Sequence, residues 1–481
     1  ALAMLPVTAN AGWGGGEVGA YGSPITIYGW QYHSFESIEK NKGSADEKDY
    51  TEVRSNAANI GFLGFIDTGI EGVKMTWRCE NFTYLGDFSG GTGWCNRNSK
   101  IGISGGFGEL MMGVWLLPYN EMVAQWVDPF YDAGNLSHTG IMGNIGTSSG
   151  IFYNTGIFDD GNNFGDFKYT TADFGGTCTK TAGQCYGDYG SFGLGFNRRQ
   201  EGIVQYMGSF DKVSFRFAFT QGERDETTTT GGSGATKKVD PVIYSTGIAY
   251  SDGPIWLAVT YQKHEDWTAA SLGTDAAATA MKESDAESFR IAGRYIADLG
   301  GGASLTLSAM WENLEYEFID AIAEVTQRFG FSDAAFGDIT AGTNLKIDRD
   351  AFLISGKYAT GGPLNFRFMY AEADDYDTSG TFASGQNNRQ SDTGADMLAL
   401  GVYYSLGDST EVGLTYNEVS NDTYGAYGTG IGGVGNGGIN QDSEMIALKM
   451  PVAEVHASTI EEIEGGLVTA WFGGTKEGSR D

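Results

Sequence analysis

The sequence predicts an all-β chain: a transmembrane, antiparallel up-and-down β-barrel of about sixteen strands with a long inward-folded constriction loop. Three observations carry this. Alternating apolar and polar residues recur along most of the chain, and many apolar faces end in Tyr, Trp or Phe; that suits a face meeting lipid between two aromatic girdles. Short turns alternate with longer polar loops, an arrangement a soluble sandwich has no reason to keep. Between residues 116 and 197 no clean strand pattern appears, and so long an interruption in a strand-rich chain is normally functional.

The composition agrees. A chain of 481 residues could hold two or three soluble domains, but one large barrel fits equally well. Its 74 Gly and 13% aromatic residues suit many short strands and tight turns, while Pro is scarce at 8. Mean hydropathy is -0.24. No window approaches eighteen consecutive apolar residues, so no spanning helix is expected, which says nothing against spanning strands. Residues 1–11 resemble the end of a secretory signal peptide, an apolar run closing on Ala9-Asn-Ala11. The barrel is expected over 12–453, with 117–197 as its constriction-loop region and 454–481 as a tail of unknown role.

Export fits the cysteines. Cys79 with Cys95 and Cys178 with Cys185 form two local pairs, which suggest loop-stapling disulfides in an oxidising compartment. Their spacing matches no zinc motif, so no metal is expected. The net charge of -31 makes nucleic acid an improbable partner and bears on ion steering and solubility.

Taken in order, strands are expected near 25–32, 56–66 and 73–80, where Val73, Met75 and Trp77 oppose Lys74, Thr76, Arg78 and Glu80. Residues 97–115 form a hairpin about a Gly-rich turn. After the long loop the alternation resumes near 203–206 and 215–219. Further strands follow near 242–250, 255–264, 288–296, 304–312, 352–358, 364–370, 397–406, 411–417 and 444–450. Short turns fall at 67–69, 105–107, 209–212, 251–253, 299–301, 360–362 and 407–409.

Several of these pieces resemble the Gram-negative general porins, especially the betaproteobacterial group. They are Asn59-Ile-Gly-Phe62, Glu71-Gly-Val-Lys74, the hairpin Arg97-Asn-Ser-Lys-Ile-Gly-Ile-Ser-Gly-Gly-Phe-Gly108 and Pro118-Tyr119 at the start of the constriction loop. Arg199-Gln-Glu-Gly-Ile-Val-Gln-Tyr206 and the late hairpin from Tyr403 to Tyr416 complete the match. The resemblance implies a homotrimeric, water-filled barrel among outer-membrane lipid and lipopolysaccharide, passing ions and small hydrophilic solutes. The sequence departs from the family in four places. Asn59 stands where many relatives have a pore arginine, and Asp408-Ser409 replaces a basic pair. The constriction loop is unusually long, and the chain continues past Met450 through Pro451 to Asp481.

With the apolar face outside, strand parity assigns Lys74, Arg78, Lys100, Arg199, Arg216, Arg290, Arg294 and Arg367 to the lumen. Charges facing lipid would cost about 2–4 kcal/mol each at the midplane. The loop offers Glu121, Asp128, Asp132, Asp159, Asp160 and Asp166 against them, and opposed charges across a narrow opening set up a transverse field. The lumen cations favour anions and the acidic loops favour cations; the constriction controls the barrier, which leans the reading to anions.

Enzyme signals fail on context. Gly102-Ile-Ser-Gly-Gly106 fits a nucleophile pattern, but a strand follows where that chemistry needs a helix. Gly430-Ile-Gly-Gly-Val-Gly435 lacks the helix of a dinucleotide site. No cofactor is expected; at Asp160-Gly-Asn-Asn-Phe-Gly-Asp166 a solvated turn is favoured over a calcium loop. A diffusion porin, a substrate-selective channel and a structural or adhesive surface barrel remain as alternatives.

Overall fold

The computed structural model describes residues 18–20, 23–42, 48–83, 94–143, 195–197, 199–221, 226–229, 236–239, 242–265, 283–321, 343–379, 392–407, 410–422, 425, 427–428, 442–453, 456–463 and 466–472. The wall is a closed antiparallel barrel of sixteen strands. They are β1 (Ser23–Lys42), β2 (Lys48–Ser55 and Asn59–Asp67), β3 (Lys74–Phe82), β4 (Ser99–Gly105), β5 (Gly108–Leu116) and β6 (Arg199–Phe210). Then come β7 (Val213–Gln221), β8 (Val242–Asp252), β9 (Ile255–Glu265), β10 (Glu283–Gly300) and β11 (Ala303–Ala321). The last are β12 (Thr343–Thr360), β13 (Leu364–Ala373), β14 (Ala395–Ser405), β15 (Glu411–Asn421) and β16 (Asp442–Ala453). Each pairs with its neighbours in sequence, and β16 closes on β1 with Phe35 opposite Leu448. Closure removes the sheet edges that lipid could not satisfy.

Alternation along the strands sorts the side chains. On β9, Ile255, Leu257 and Val259 face outward, whereas Trp256, Ala258, Thr260, Gln262 and His264 face inward. Leu257 is 52% exposed and Ala258 only 3%. The same outward set recurs as Phe217, Ile248, Ile291, Ile354, Phe366, Leu400, Leu414 and Ile446, a continuous apolar belt around the barrel. A belt of that extent needs an apolar solvent, and the lipid bilayer supplies it.

Several strands run further than their apolar alternation. β10, β11 and β12 hold 18, 19 and 18 residues, roughly 60 Å at about 3.4 Å per residue, well beyond an apolar band of about 25 Å. Along them the outward positions change from Phe289, Trp311 and Phe352 to Glu287, Glu315 and Asp348, while Ala286, Leu314 and Ile347 stay inside. The upper strand portions are therefore water-facing outside. A reading based on an apolar outer face stops at that level, which is why 288–296 and 304–312 fall short of the observed strands.

Two further differences stand out. Lys48–Ser55 also pairs with β1, extending the second strand past the kink at Ala57, whose φ is 54°. Beyond β16, His456–Ile463 and Gly466–Phe472 form a hairpin that touches β1 where Ala457 lies opposite Ile27. The expected leader at 1–11 lies outside the described residues.

Candidate functional site in the barrel interior

The chain turns inward at β5. Gly113 has a φ of 154°, and a Cβ there would meet the Ser99 carbonyl oxygen at 2.2 Å. The β5–β6 register shifts between Gly113 and Trp115, a bulge that re-aims the strand end. Pro118 then opens a single helical turn, α1 (Pro118–Glu121), followed by α2 (Ala124–Val127) and 3-10 turns at Gly134–Leu136 and His138–Gly140. Four-residue helices are too short for a 3.6-residue period to register, so the sequence shows no pattern where the structure has turns. The segment returns where the Phe196 amide donates to the Gly143 carbonyl at 2.8 Å.

This segment packs closely against the wall. Met122, Val123, Phe130, Leu136, Ile141 and Met142 share one buried cluster with inward residues of β8 to β16, among them Ala258, Ala292, Ala351, Ala371, Ala399 and Met445. Small wall residues make the room: a Cβ on Gly247 would meet the Met122 sulfur at 2.6 Å, and one on Gly401 would meet the Phe130 ring at 2.9 Å. Trp126 stacks on Trp256 at 5.1 Å between centroids. The water-filled lining expected here is replaced by a close-packed core.

Polar anchors fix the segment within that core. Glu312 accepts from Arg290 at 2.5 Å, Arg349 at 2.6 Å, the Tyr119 hydroxyl at 2.7 Å and the Gly143 amide at 2.7 Å. All three charged side chains are fully buried. Arg290 also donates to Asn120 and Asn197, and Arg349 to the Ile141 carbonyl. Further along, Arg367 donates to the Pro129 carbonyl at 3.0 Å, to the Tyr131 hydroxyl and to Glu411. On β1, Glu36 accepts from Asn135 and pairs with Lys449. Burying such ions costs several kcal/mol each, so their return is a unique position more than stability.

A second polar region spans β3, β4, β6 and β7. Arg78 donates to the Tyr28 hydroxyl at 2.6 Å and, with Arg97, pairs with Glu80. Lys100 pairs with Glu109 at 2.6 Å, Arg199 donates to Asn98 at 2.7 Å, and Arg216 pairs with Glu121. Trp115 lies beneath, with Arg78 at 4.7 Å and Lys100 at 5.2 Å from its ring, and donates to Glu121 at 2.9 Å. Among the described residues five cations here face three carboxylates, and Arg97, Lys100 and Arg216 keep 11–15% of their side-chain surface in solvent.

The residues singled out from sequence thus divide. Arg78, Lys100, Arg199 and Arg216 come together with Glu121. Lys74 lies exposed near the short-turn rim, over the Phe65 ring at 3.6 Å. Arg290 and Arg367 point inward as parity requires but lie under the inserted segment, and Arg294 stacks over Trp126 at 4.0 Å. Asp128 and Asp132 do not face the basic wall. Both turn toward His138, at 3.1 and 3.3 Å, because the loop closes on itself there. Burial, and then Asp128 against the pull of His138, raises the Asp132 carboxyl above its ordinary range.

That Asp128–Asp132–His138 group has its donor atoms within 4.8 Å, as a metal site would. Every carboxylate oxygen in it, however, already accepts a hydrogen bond, from Phe130, His138, Ser137 or Asn120, and the group reads as a loop staple. Cys79 and Cys95 are disulfide-bonded. Asp159, Asp160, Asp166, Cys178 and Cys185 lie outside the described residues. Ser104 sits in β4, which turns directly into β5, so the nucleophile-like pattern has no elbow. Sequence reasoning missed Arg97, Glu80, Glu109, Glu312 and Glu411. Glu80 shares a face with Arg78, which was the available signal; Glu312 and Glu411 gain their roles only from strands far away in sequence.

A closed sixteen-stranded barrel with an apolar outer belt and an inserted charged segment is a membrane-spanning barrel of the porin type. The chain belongs to the Gram-negative porin family, whose model matches residues 1–424. It is 34% identical over 116 residues to the major outer membrane protein P.IB of Neisseria meningitidis serogroup A, covering 23% of this chain and 31% of that protein. The corresponding Neisseria gonorrhoeae protein is 30% identical over 116 residues, 23% of this chain and 29% of its own length. The match therefore spans under a third of these relatives. Among solved structures, the anion-selective porin from Comamonas acidovorans shares the fold at a TM-score of 0.56 and 16% identity, over 89% of this chain and 99% of that one. The outer membrane protein OmpT of Vibrio cholerae gives 0.50 and 11%, over 91% and 99%.

Proposed function

We propose that the protein is a porin through which ions and small hydrophilic solutes diffuse passively, past a constriction bordered by the Arg78–Arg97–Lys100–Arg199–Arg216 patch. One observation carries this reading: among the described residues the patch holds more cations than carboxylates and is partly open to solvent, while Arg290, Arg349 and Arg367 are paired under the inserted segment. A cation excess on the wall of a passage lowers the barrier for anions, because screening is weakest where protein crowds the solvent. The assembly that fits the family is a homotrimer among outer-membrane lipid and lipopolysaccharide.

A substrate-selective channel is the second reading, favoured by how much of the interior residues 117–143 fill. Planar-bilayer recordings in a salt gradient separate the two. Large ohmic steps with an anion-side reversal potential support diffusion; current that saturates and is blocked by one solute supports selectivity. Absence of any current would leave the barrel as an anchor for a surface structure.

A further inference from the structure

Away from the basic patch, a second group of cations lies toward the short-turn end of the wall. Arg294 on β10, Lys357 on β12 and Arg367 on β13 all occupy inward positions. Among the described residues the carboxylate beside them is Glu411, and its oxygens already accept: one from Asn365 at 3.0 Å, the other from Arg367 and the Tyr131 hydroxyl. Among the described residues neither Arg294 nor Lys357 has an ion-pair partner. Lys357 instead lies directly opposite Arg367 in the β12–β13 register, and like charges opposed across an antiparallel pair repel.

The two unpaired cations share one stretch of wall. Arg294 aligns with Ser308, and Ser308 with Ser355, two residues before Lys357 on the same face. Two strand spacings and two residues along the strand place their Cα atoms about 12 Å apart, within which two long basic side chains can converge on one small group. The floor is the Trp126 ring, stacked on Trp256, and the Arg294 Nε above it is buried with no hydrogen-bond acceptor. The nearby Ser308 and Ser355 hydroxyls donate to the Trp126 and Val127 carbonyls, and neither accepts from Arg294 Nε. An unsatisfied buried donor and cations without an ion-pair partner of their own are costly in a protein interior. A ligand with two or more anionic oxygens removes both costs, whereas chloride offers no second oxygen to bridge the pair.

We propose that Arg294 and Lys357 form a second anion station, distinct from the Arg78–Lys100 patch, for a small multivalent oxyanion of the phosphate, sulfate or dicarboxylate class. The station goes beyond the diffusion reading, and its test does not require current. Detergent-purified full-length protein is dialysed to equilibrium against radiolabelled inorganic phosphate at low ionic strength. Saturable binding is expected, weakened about tenfold or more by Arg294→Gln with Lys357→Gln and retained in Lys357→Arg. Lys212→Gln, which removes a charge at the Ser209–Lys212 turn away from the site, leaves binding unchanged. Non-saturable uptake, or equal loss in Lys212→Gln, overturns the proposal. Should the double variant misfold, as judged by loss of heat-resistant migration, Arg294→Gln alone and Lys357→Gln alone must each weaken phosphate binding, and their failure to do so overturns it. In bilayers, phosphate reduces chloride current through the native protein and not through the folded double variant. A chain that carries no current breaks the diffusion reading and leaves the dialysis result to decide the station.

Discussion

Two stretches of the same wall, built by the same alternation, have opposite interiors. From β8 to β16 the inward positions hold Ala, Met and fully buried ion pairs pressed against residues 117–143. Across β3, β4, β6 and β7, with Arg97 just before β4, the described residues include five cations, two over Trp115 and two over Phe82, several still touching solvent. Parity decides which side chains look inward; whether they meet water or protein depends on what the inserted segment covers. Arginine thus has two settings in one barrel, locking a loop at Arg290 and, in the proposed reading, bordering a passage at Arg216 and its neighbours.

The contrast is breakable by substitution. Glu312→Gln removes the carboxylate shared by Arg290 and Arg349 and leaves both guanidinium groups buried without their counter-charge. That should cost about 3–5 kcal/mol, read as a lower unfolding midpoint in denaturant, together with noisier and larger conductance as residues 117–143 loosen. An unchanged midpoint would mean that the triad is not what holds the segment.

A smaller effect is expected from Ala371→Leu. Its methyl sits fully buried in the same core, and overfilling such a site typically costs about 1–3 kcal/mol. Stability should fall while ion preference stays as it was.

Least costly to the fold should be Lys100→Gln combined with Arg199→Gln. Lys100 and its partner Glu109 keep 12% and 17% of their side-chain surface in solvent, so the loss should be smaller than at fully buried Glu312, about 1–2 kcal/mol. Here the reversal potential in a salt gradient should move toward cations. If this pair instead destabilised the barrel and left selectivity alone, the distinction between the two stretches would fail.

Much of the architecture was legible in the sequence, because period-two alternation and tight turns are local. Cys79 with Cys95, the inward set from Arg78 to Arg367 and the hairpin at 97–115 all follow from neighbours in the chain. What was not legible depends on long-range meeting. Nothing near Arg290 announces that Tyr119, Asn197 and Glu312 converge on it. Asp128 and Asp132 could be read as facing the wall only because the 3-10 turn carrying His138 back to them is invisible at that length. The repeated inward alanines of Ala258, Ala292, Ala351, Ala371 and Ala399 were a missed clue: small residues on a supposedly aqueous face mark where another part of the chain must fit.

One further consequence follows from the change of outward residues along β10 to β12. Glu287 aligns with Glu315, and Glu315 with Asp348, just above Phe289, Trp311 and Phe352. This line acts as a waterline painted on the hull. Sinking the barrel by one strand repeat would drag a row of carboxylates among acyl chains, and raising it would strand the aromatic rings in water. The molecule is thereby held at one draught, with the upper reaches of β10, β11 and β12 standing clear of the bilayer like a chimney.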